Sequence, residues 1–276
     1  MKLQERSLDQ LKEHYEIERE LASRLRHASR EERRTLYAKV YDELYRRISH
    51  HPQLTRKADP EAQRAAVFRQ IQFLKHFLMP ESVFLELGPG DCSISFAVAG
   101  LVGKVYAVDI SEEITKSPSR PDNFKLIFSD GCSVPVPPGT VSIAYSNQLM
   151  EHLHPDDAIE QVRNVYAALA PEGVYVCASP NRLTGPHDIS KYFANEAEGF
   201  HLKEYTATEL VEIFRMTGFS GVRCYLAIKA FVFRVPVAFI RWVESTLGLL
   251  PKMYRLKIVR ITPLRQLLEV RVAAVK

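Results

Sequence analysis

The chain has 276 residues, a formal charge of +4, 46% apolar and 25% charged residues, all ordinary for a soluble globular protein with one large domain and substantial additions. Its four cysteines, Cys92, Cys132, Cys177 and Cys224, stand apart with no C-x-x-C, which points to reduced thiols in a cytoplasmic setting and away from a zinc site. The opening MKLQERSLDQLKEH has no apolar run, and the longest charge-free stretch, residues 131–150, is broken by prolines and polar residues, so neither a signal peptide nor a spanning helix is expected.

Residues 1–79 read as a helical extension. Leu3, Leu11, Tyr15, Ile17, Leu21 and Leu25 recur among charged residues in an amphipathic pattern. Ser29 followed by Glu32 has the form of a capping box, opening a second helix through Tyr37, Val40, Tyr41, Leu44 and Tyr45 that His50-His51-Pro52 interrupts. Asp59-Pro60 supplies an N-cap and a first-turn proline for a third helix toward Leu78. Such helices either cover a site on the following domain, pack on its sheet, or join two copies.

The next segment, VFLELGPGDCS from Val83 to Ser93, is an apolar strand that ends in Glu86 and opens into Gly88-Pro89-Gly90-Asp91. Gly88 and Gly90 permit backbone angles closed to other residues and let a ligand lie against bare peptide. A second apolar run, VYAVDIS, ends at Asp109, where a carboxylate at a strand tip can accept both hydroxyls of a ribose. The pair predicts a site for an adenosine-containing cofactor. A nicotinamide or flavin site wants G-x-G-x-x-G with a helix N-terminus facing a pyrophosphate. Here Ser93 holds the third position, and Glu86 would repel a pyrophosphate but suits a cofactor with a cationic ammonium and sulfonium.

Three more apolar runs follow, Phe124 to Phe128, Val141 to Tyr145 and Val174 to Ala178. Ser129-Asp130-Gly131 trails the first, SNQLMEHLHPDD the second, and HLKEYTATELVEIFRMTGF spans His201 to Phe219. Over roughly residues 80 to 225 this order resembles the class I S-adenosylmethionine-dependent methyltransferases. The resemblance implies an α/β Rossmann-like fold with a seven-stranded sheet, mostly parallel with an antiparallel C-terminal strand, and helices on both faces. The methyltransferase domain would then run over 80–276. The resemblance also places Glu86, Gly88 and Gly90 around the methionine moiety, Asp109 on the ribose and Asp130 at the adenine amino group. Pro89, Asp91, Ile110, Gly131, Asn147 and Gln148 complete the expected cofactor-binding set. Cys92 stands where the family carries its third glycine. Asp130-Gly131 is also a common turn dipeptide, and Asp156 with Asp157 after Pro155 reads as a helix start and nothing more.

From Ser220 to Lys276 eleven Lys and Arg face two acids, a balance of +9, so the first 219 residues sum to −5. Strands at Gly221–Ala227 and Leu267–Val275 would flank an insertion at about 228–266. Its segment RVPVAFIRWVESTLG sets Arg234, Arg241 and Ser245 on a thin stripe among Phe233, Val237, Phe239, Ile240, Trp242 and Val243. Such a face can pack on the sheet, line an apolar acceptor pocket or rest on a membrane surface, and the basic KMYRLKIVR can attract phosphate, carboxylate or anionic lipid. No nucleic-acid motif accompanies the charge, so no nucleic-acid partner is expected.

The expected function is methyl transfer from S-adenosylmethionine to an oxygen or nitrogen of a small-molecule, glycan or lipid-linked acceptor. The alternatives are a catalytically silent S-adenosylmethionine-binding partner subunit and an NAD-dependent oxidoreductase. His152, His187 and His201 are candidate bases, His152 foremost because it leaves the fourth strand's tip. Some relatives hold a divalent metal through Glu-x-x-Glu-His at this place. Gln148 removes the first of those carboxylates here, so metal-independent transfer is expected. The expected location is cytoplasmic, with peripheral membrane association through the insertion as one reading.

Overall fold

The computed structural model describes residues 6–51, 60–111, 120–228, 231–260, 264–269 and 271–276. Helix α1 (Leu8–His27) starts on a capping box of Ser7 and Gln10, which the expected pattern of residues 1–79 did not include. Helix α2 (Arg30–Arg47) starts on the expected box of Ser29 and Glu32. The two share a buried apolar seam that includes Leu21, Leu25, Tyr37, Val40 and Leu44. Helix α3 (Pro60–Leu74) follows, while Asp59, its expected cap, lies outside the described residues.

Five strands then run parallel: β1 (Val83–Leu87), β2 (Lys104–Asp109), β3 (Phe124–Phe128), β4 (Val141–Asn147) and β5 (Leu169–Ala178). Beyond β5 the sheet continues through β8 (Arg271–Val275), β6 (Arg223–Ile228) and β7 (Phe231–Val235), in the order β3-β2-β1-β4-β5-β8-β6-β7. The expected mixed sheet is present, with β8 antiparallel to both β5 and β6. It has eight strands rather than seven, because the insertion begins by folding back on β6 as a hairpin. Val232 and Val235 stabilise that extra strand by entering the two apolar cores.

Strand alternation sorts the core into two layers. Phe84, Ile143, Tyr145, Val176 and Ala273 face α3 and α4 (Ser93–Ala99). Leu85, Ala144, Tyr175, Cys177, Val272 and Ala274 face the opposite layer of α1, α2, α5 (Pro155–Ala168) and α6 (Ala207–Met216). The rest of the insertion forms α7 (Val237–Gly248), α8 (Lys252–Val259) and α9 (Leu264–Leu268). Strand order reverses between β1 and β4, which opens a crevice at the carboxyl ends of the strands. Among the described residues, no helix is long and apolar enough to cross a membrane.

Candidate active site

The crevice begins at the turn after β1. Gly88 has φ +63° and Gly90 φ +55°, and a Cβ at Gly88 would meet Leu149 Cδ1 at 3.0 Å. Cys92, where the family keeps a glycine, also sits in the left-handed region at φ 61° with its side chain fully buried. The turn therefore imposes the glycine conformation whatever residue is there. Glu86 follows Phe84 in the alternation and points to the α4 side, where Ser95 Oγ donates to its Oε2. Burial pushes the Glu86 carboxyl up to about 8 despite that hydrogen bond, leaving a buried acid poised to ionise against a cation.

Asp109 ends β2, and its Oδ1 accepts from the amides of Ile110 at 2.7 Å and Ser111 at 3.0 Å. Burial raises its pKa against those bonds and one from the Gly90 amide, which ties the two sequence motifs into one site. Asp109 could also read as the N-cap of a helix beginning near Ser111, but residues 112–119 lie outside the described residues. Asp91 accepts from Gln63 of α3, so that helix reaches over the glycine turn. Asp130 is engaged by its own turn: Oδ1 accepts from the amides of Cys132 and Ser133 and from Ser133 Oγ, with Arg34 of α2 at 3.6 Å from Oδ2. Burial raises its pKa, but those donors outweigh it and hold the carboxyl below its usual range. Gly131 lies under the Tyr37 ring. Asn147 ends β4, and Gln148, at φ 57°, donates its amide to Ala178 O at 2.8 Å.

A second cluster, beyond the end of β4, gathers residues from distant segments. Glu151 is fully buried, with Oε2 accepting from Ser179 Oγ at 2.9 Å and Oε1 without a partner. Burial pushes its carboxyl up to about 7, opposed by His201. His152 donates from Nδ1 to Phe200 O at 3.1 Å, since a carbonyl only accepts, with Tyr41 Oη of α2 at 3.0 Å. Burial and then His201 push its pKa down to about 3, so it is neutral at working pH. The His201 ring lies edge-on to it, centroids 4.9 Å apart, and holds Glu204 Oε1 at 2.7 Å from Nδ1. Burial lowers the His201 pKa, but Glu204 and then Glu151 outweigh it and raise it above the usual value. His187 takes a different part: exposed, its Nε2 lies 2.7 Å from Thr184 Oγ1 and 3.1 Å from Asn181 O, closing its own turn.

What holds this half together was not legible in the sequence. Asp157 is more than a helix start: it is buried and paired with Arg33 of α2 at 2.6 and 2.7 Å, and it accepts from Tyr37 Oη at 2.7 Å. Arg26 of α1 donates to the carbonyls of Glu198, Gly199 and His201, and Glu18 accepts from the Phe200 amide. Tyr41 stacks on Phe200 at 4.6 Å. Helices α1 and α2 are thus sewn to the segment that carries His201. None of these partners stands close in sequence; only Glu204, three residues after His201, left a local trace.

One ligand atom each from Glu151, His152 and His201 lies within 4.8 Å of the others, so the three could hold a divalent cation. Each histidine ties Nδ1 back to a carbonyl or carboxylate, which leaves Nε2 as its free lone pair. Gln148 takes one carboxylate away from this place, but His201 brings a donor from another segment that the local motif does not contain.

Comparison with known proteins places this geometry. A model described as a methyltransferase domain matches residues 85–177. A probable S-adenosylmethionine-dependent methyltransferase of Mycolicibacterium smegmatis is 26% identical over 137 residues, 49% of this chain and 51% of that one; the chain spans about half the length of this curated relative. Among solved structures, a SAM-dependent methyltransferase from Archaeoglobus fulgidus has TM-score 0.52 at 18% identity, covering 77% of this chain and 94% of that one. Haemonchus contortus phosphoethanolamine N-methyltransferase 1, in complex with phosphoethanolamine and S-adenosylhomocysteine, has TM-score 0.58 at 13% identity, covering 90% and 50%. At such identities the structural likeness speaks of fold, and the sequence matches speak of family. Residues 85–177 thus match a methyltransferase domain, and the chain is similar to S-adenosylmethionine-dependent methyltransferases in sequence and in fold.

Proposed function

We propose that the chain transfers the methyl group of S-adenosylmethionine to a hydroxyl or amine of a small-molecule, glycan or lipid-linked acceptor, without a metal and with His201 as the base. The observation that carries this reading is the link between two clusters at the carboxyl ends of the strands: Gly88 of the turn that follows Glu86 lies against Leu149, and the Glu151–His152 segment two residues on lies against His201, itself paired with Glu204. A silent binding subunit would have no use for the second half. Bound S-adenosylmethionine supplies a methyl on an already cationic sulfur, so the protein is left to align, desolvate and accept a proton. Glu86 neutralises the cofactor's cationic end, and Gly88 and Gly90 keep the backbone open to it. Asp109 holds the ribose, and helices α1 and α2 cover the cleft. The acceptor's lone pair forms the new bond to the methyl carbon as the carbon–sulfur pair returns to sulfur, and its proton passes to His201. Glu204 orients that imidazole and stabilises the imidazolium. His152, at about 3, is too weak a base for this task.

Titration calorimetry tests the first half-site. The chain is expected to bind S-adenosylhomocysteine and not NAD, and Asp109→Ala is expected to weaken that binding about tenfold or more, for two lost ribose hydrogen bonds at about 1 kcal/mol each. Unchanged affinity in Asp109→Ala would overturn the assignment. Radiolabelled cofactor offered with lipid, glycan and metabolite extracts then identifies the acceptor.

A further inference from the structure

Seven of the fifteen large apolar side chains that stand exposed among the described residues fall between Phe231 and Tyr254. That concentration is structured. On β7 the rings of Phe231 and Phe233 share the outer side and stack at 6.3 Å. On α7 Ile240, Val243 and Leu247 face inward, while Phe239 and Trp242 stand outside and stack at 6.0 Å. Trp242 is 63% exposed, and Leu249, in the turn to α8, is 86% exposed. Water is a poor neighbour for so much apolar surface, and a surface of this kind marks an interaction site.

The charges interleaved with it are of one sign. Residues 231–260 hold Arg234, Arg241, Lys252, Arg255, Lys257 and Arg260 against a single acid, Glu244. That acid is buried, accepting from Asn181 Nδ2 and from the amides of Ala207 and Thr208 at the start of α6. No carboxylate of this stretch therefore faces water beside the apolar side chains. Aromatic and aliphatic side chains among exposed cations, of which, among the described residues, Arg241 alone is paired with an exposed acid, Glu212 of α6, match the headgroup boundary of an anionic bilayer, where Trp and Phe enter the acyl edge and Arg and Lys meet lipid phosphates.

The same elements hold the acceptor side. Glu244 of α7 anchors Asn181, Arg255 of α8 donates to Leu183 O at 3.0 Å, and Lys252 donates to Asn195 O. Residues 181–195 lead directly to Phe200 and His201. We infer that the β7–α7–α8 surface docks the protein on anionic membrane, presenting the His201 side of the cleft to an amphiphilic acceptor at the lipid boundary. The acceptor part of this inference rests on the methyltransferase reading above; the docking part does not.

Trp242 is the only tryptophan in the chain, so its emission reports this surface alone. The full chain is mixed with vesicles of phosphatidylcholine, with and without one third phosphatidylglycerol, and followed by emission and by sedimentation. The expected result is pelleting and a blue shift with the anionic vesicles, both reduced by high salt. Lys257→Gln with Arg260→Gln is expected to weaken pelleting roughly thirtyfold, for two lost surface cations. Phe239→Ser, which keeps Trp242, is expected to reduce the blue shift, with retained S-adenosylhomocysteine binding certifying the fold of both variants. No emission change on anionic vesicles overturns the inference. So does binding to RNA in preference to vesicles, or self-association through the β7 edge that leaves Trp242 unresponsive to lipid. Loss of cofactor binding with vesicle binding intact would instead sink the methyltransferase reading.

Discussion

Helices α1 and α2 and the β7–α7–α8 insertion are both additions to the same sheet, and they are attached in opposite ways. The first is held by buried polar pairs, Arg33 with Asp157 and Glu18 with the Phe200 amide, and turns its large apolar residues inward. The second is anchored by the buried acid Glu244 and by Arg255 and Lys252 donating to loop carbonyls, and it leaves Phe231, Phe233, Trp242 and Leu249 in water. Attachment through desolvated charge fixes α1 and α2, the proposed cover of the cleft, in one position. Attachment with apolar residues left over leaves a surface still in need of a partner.

The largest effect should come from breaking the first attachment. Arg33→Met strands Asp157 as a buried unpaired charge, and a loss of about 3–5 kcal/mol in urea unfolding is expected, with weaker S-adenosylhomocysteine binding as the cover loosens. Arg241→Met, which breaks a half-exposed pair between the insertion and Glu212 of α6, should cost less than about 1 kcal/mol. Equal losses would mean that the two regions are attached alike.

A second experiment asks what the cover organises. Arg26 binds the carbonyl of His201, so the proposed base is held from α1 as well as by Glu204. His201→Gln should lower kcat roughly a hundredfold or more with little change in cofactor affinity, and His152→Gln should lower it far less. Because its partners raise the pKa of His201, activity should fall as pH drops through that value and His201 becomes protonated. Transfer should survive dialysis against EDTA. A collapse restored by manganese would instead make Glu151, His152 and His201 a metal site.

The contrast between the regions also separates what the amino-acid order makes legible from what only the folded chain brings together. The strands, the acid and glycine turn and Asp109 are written within a few residues of one another, and alternation plus turn chemistry is enough to place them. The pairing of Asp157 with Arg33 spans 124 positions, and that of Glu244 with Ala207 spans 37. Neither leaves a local signature. The eighth strand escapes the sequence pattern for a related reason: Phe231–Val235 alternates weakly, and its pairing with β6 depends on the sheet already being there. His152 draws attention by standing at a strand tip, yet burial beside His201 and the contact with Phe200 O, both long-range, remove its basicity.

Between the two additions lies the cofactor turn, where a pH effect should appear. Glu86 is raised from its ordinary 4.5 to about 8, so across that window the unfolded chain has lost the proton that the folded chain keeps. Stability should therefore fall as pH rises from about 4.5 to about 8, and Glu86→Gln should flatten that limb. A cationic cofactor favours the ionised form. Its affinity should rise by up to about tenfold per pH unit below 8 and level off above it, with proton release on binding seen by calorimetry in two buffers of different ionisation enthalpy.

The smallest effect concerns a single backbone angle. Cys92 holds φ 61°, which costs a residue with a Cβ about 1–2 kcal/mol, but its thiol is fully buried and returns part of that in packing. Cys92→Gly removes both contributions and should leave stability nearly unchanged. Cys92→Ala removes the thiol and keeps the strained angle, so it should be the less stable of the two by about 1 kcal/mol, although alanine exceeds glycine inside helices. Thermal unfolding of the two variants decides it: a more stable alanine form would mean that the turn relaxes to negative φ without the thiol, and that glycine geometry is not imposed by the fold around Glu86 and Asp109.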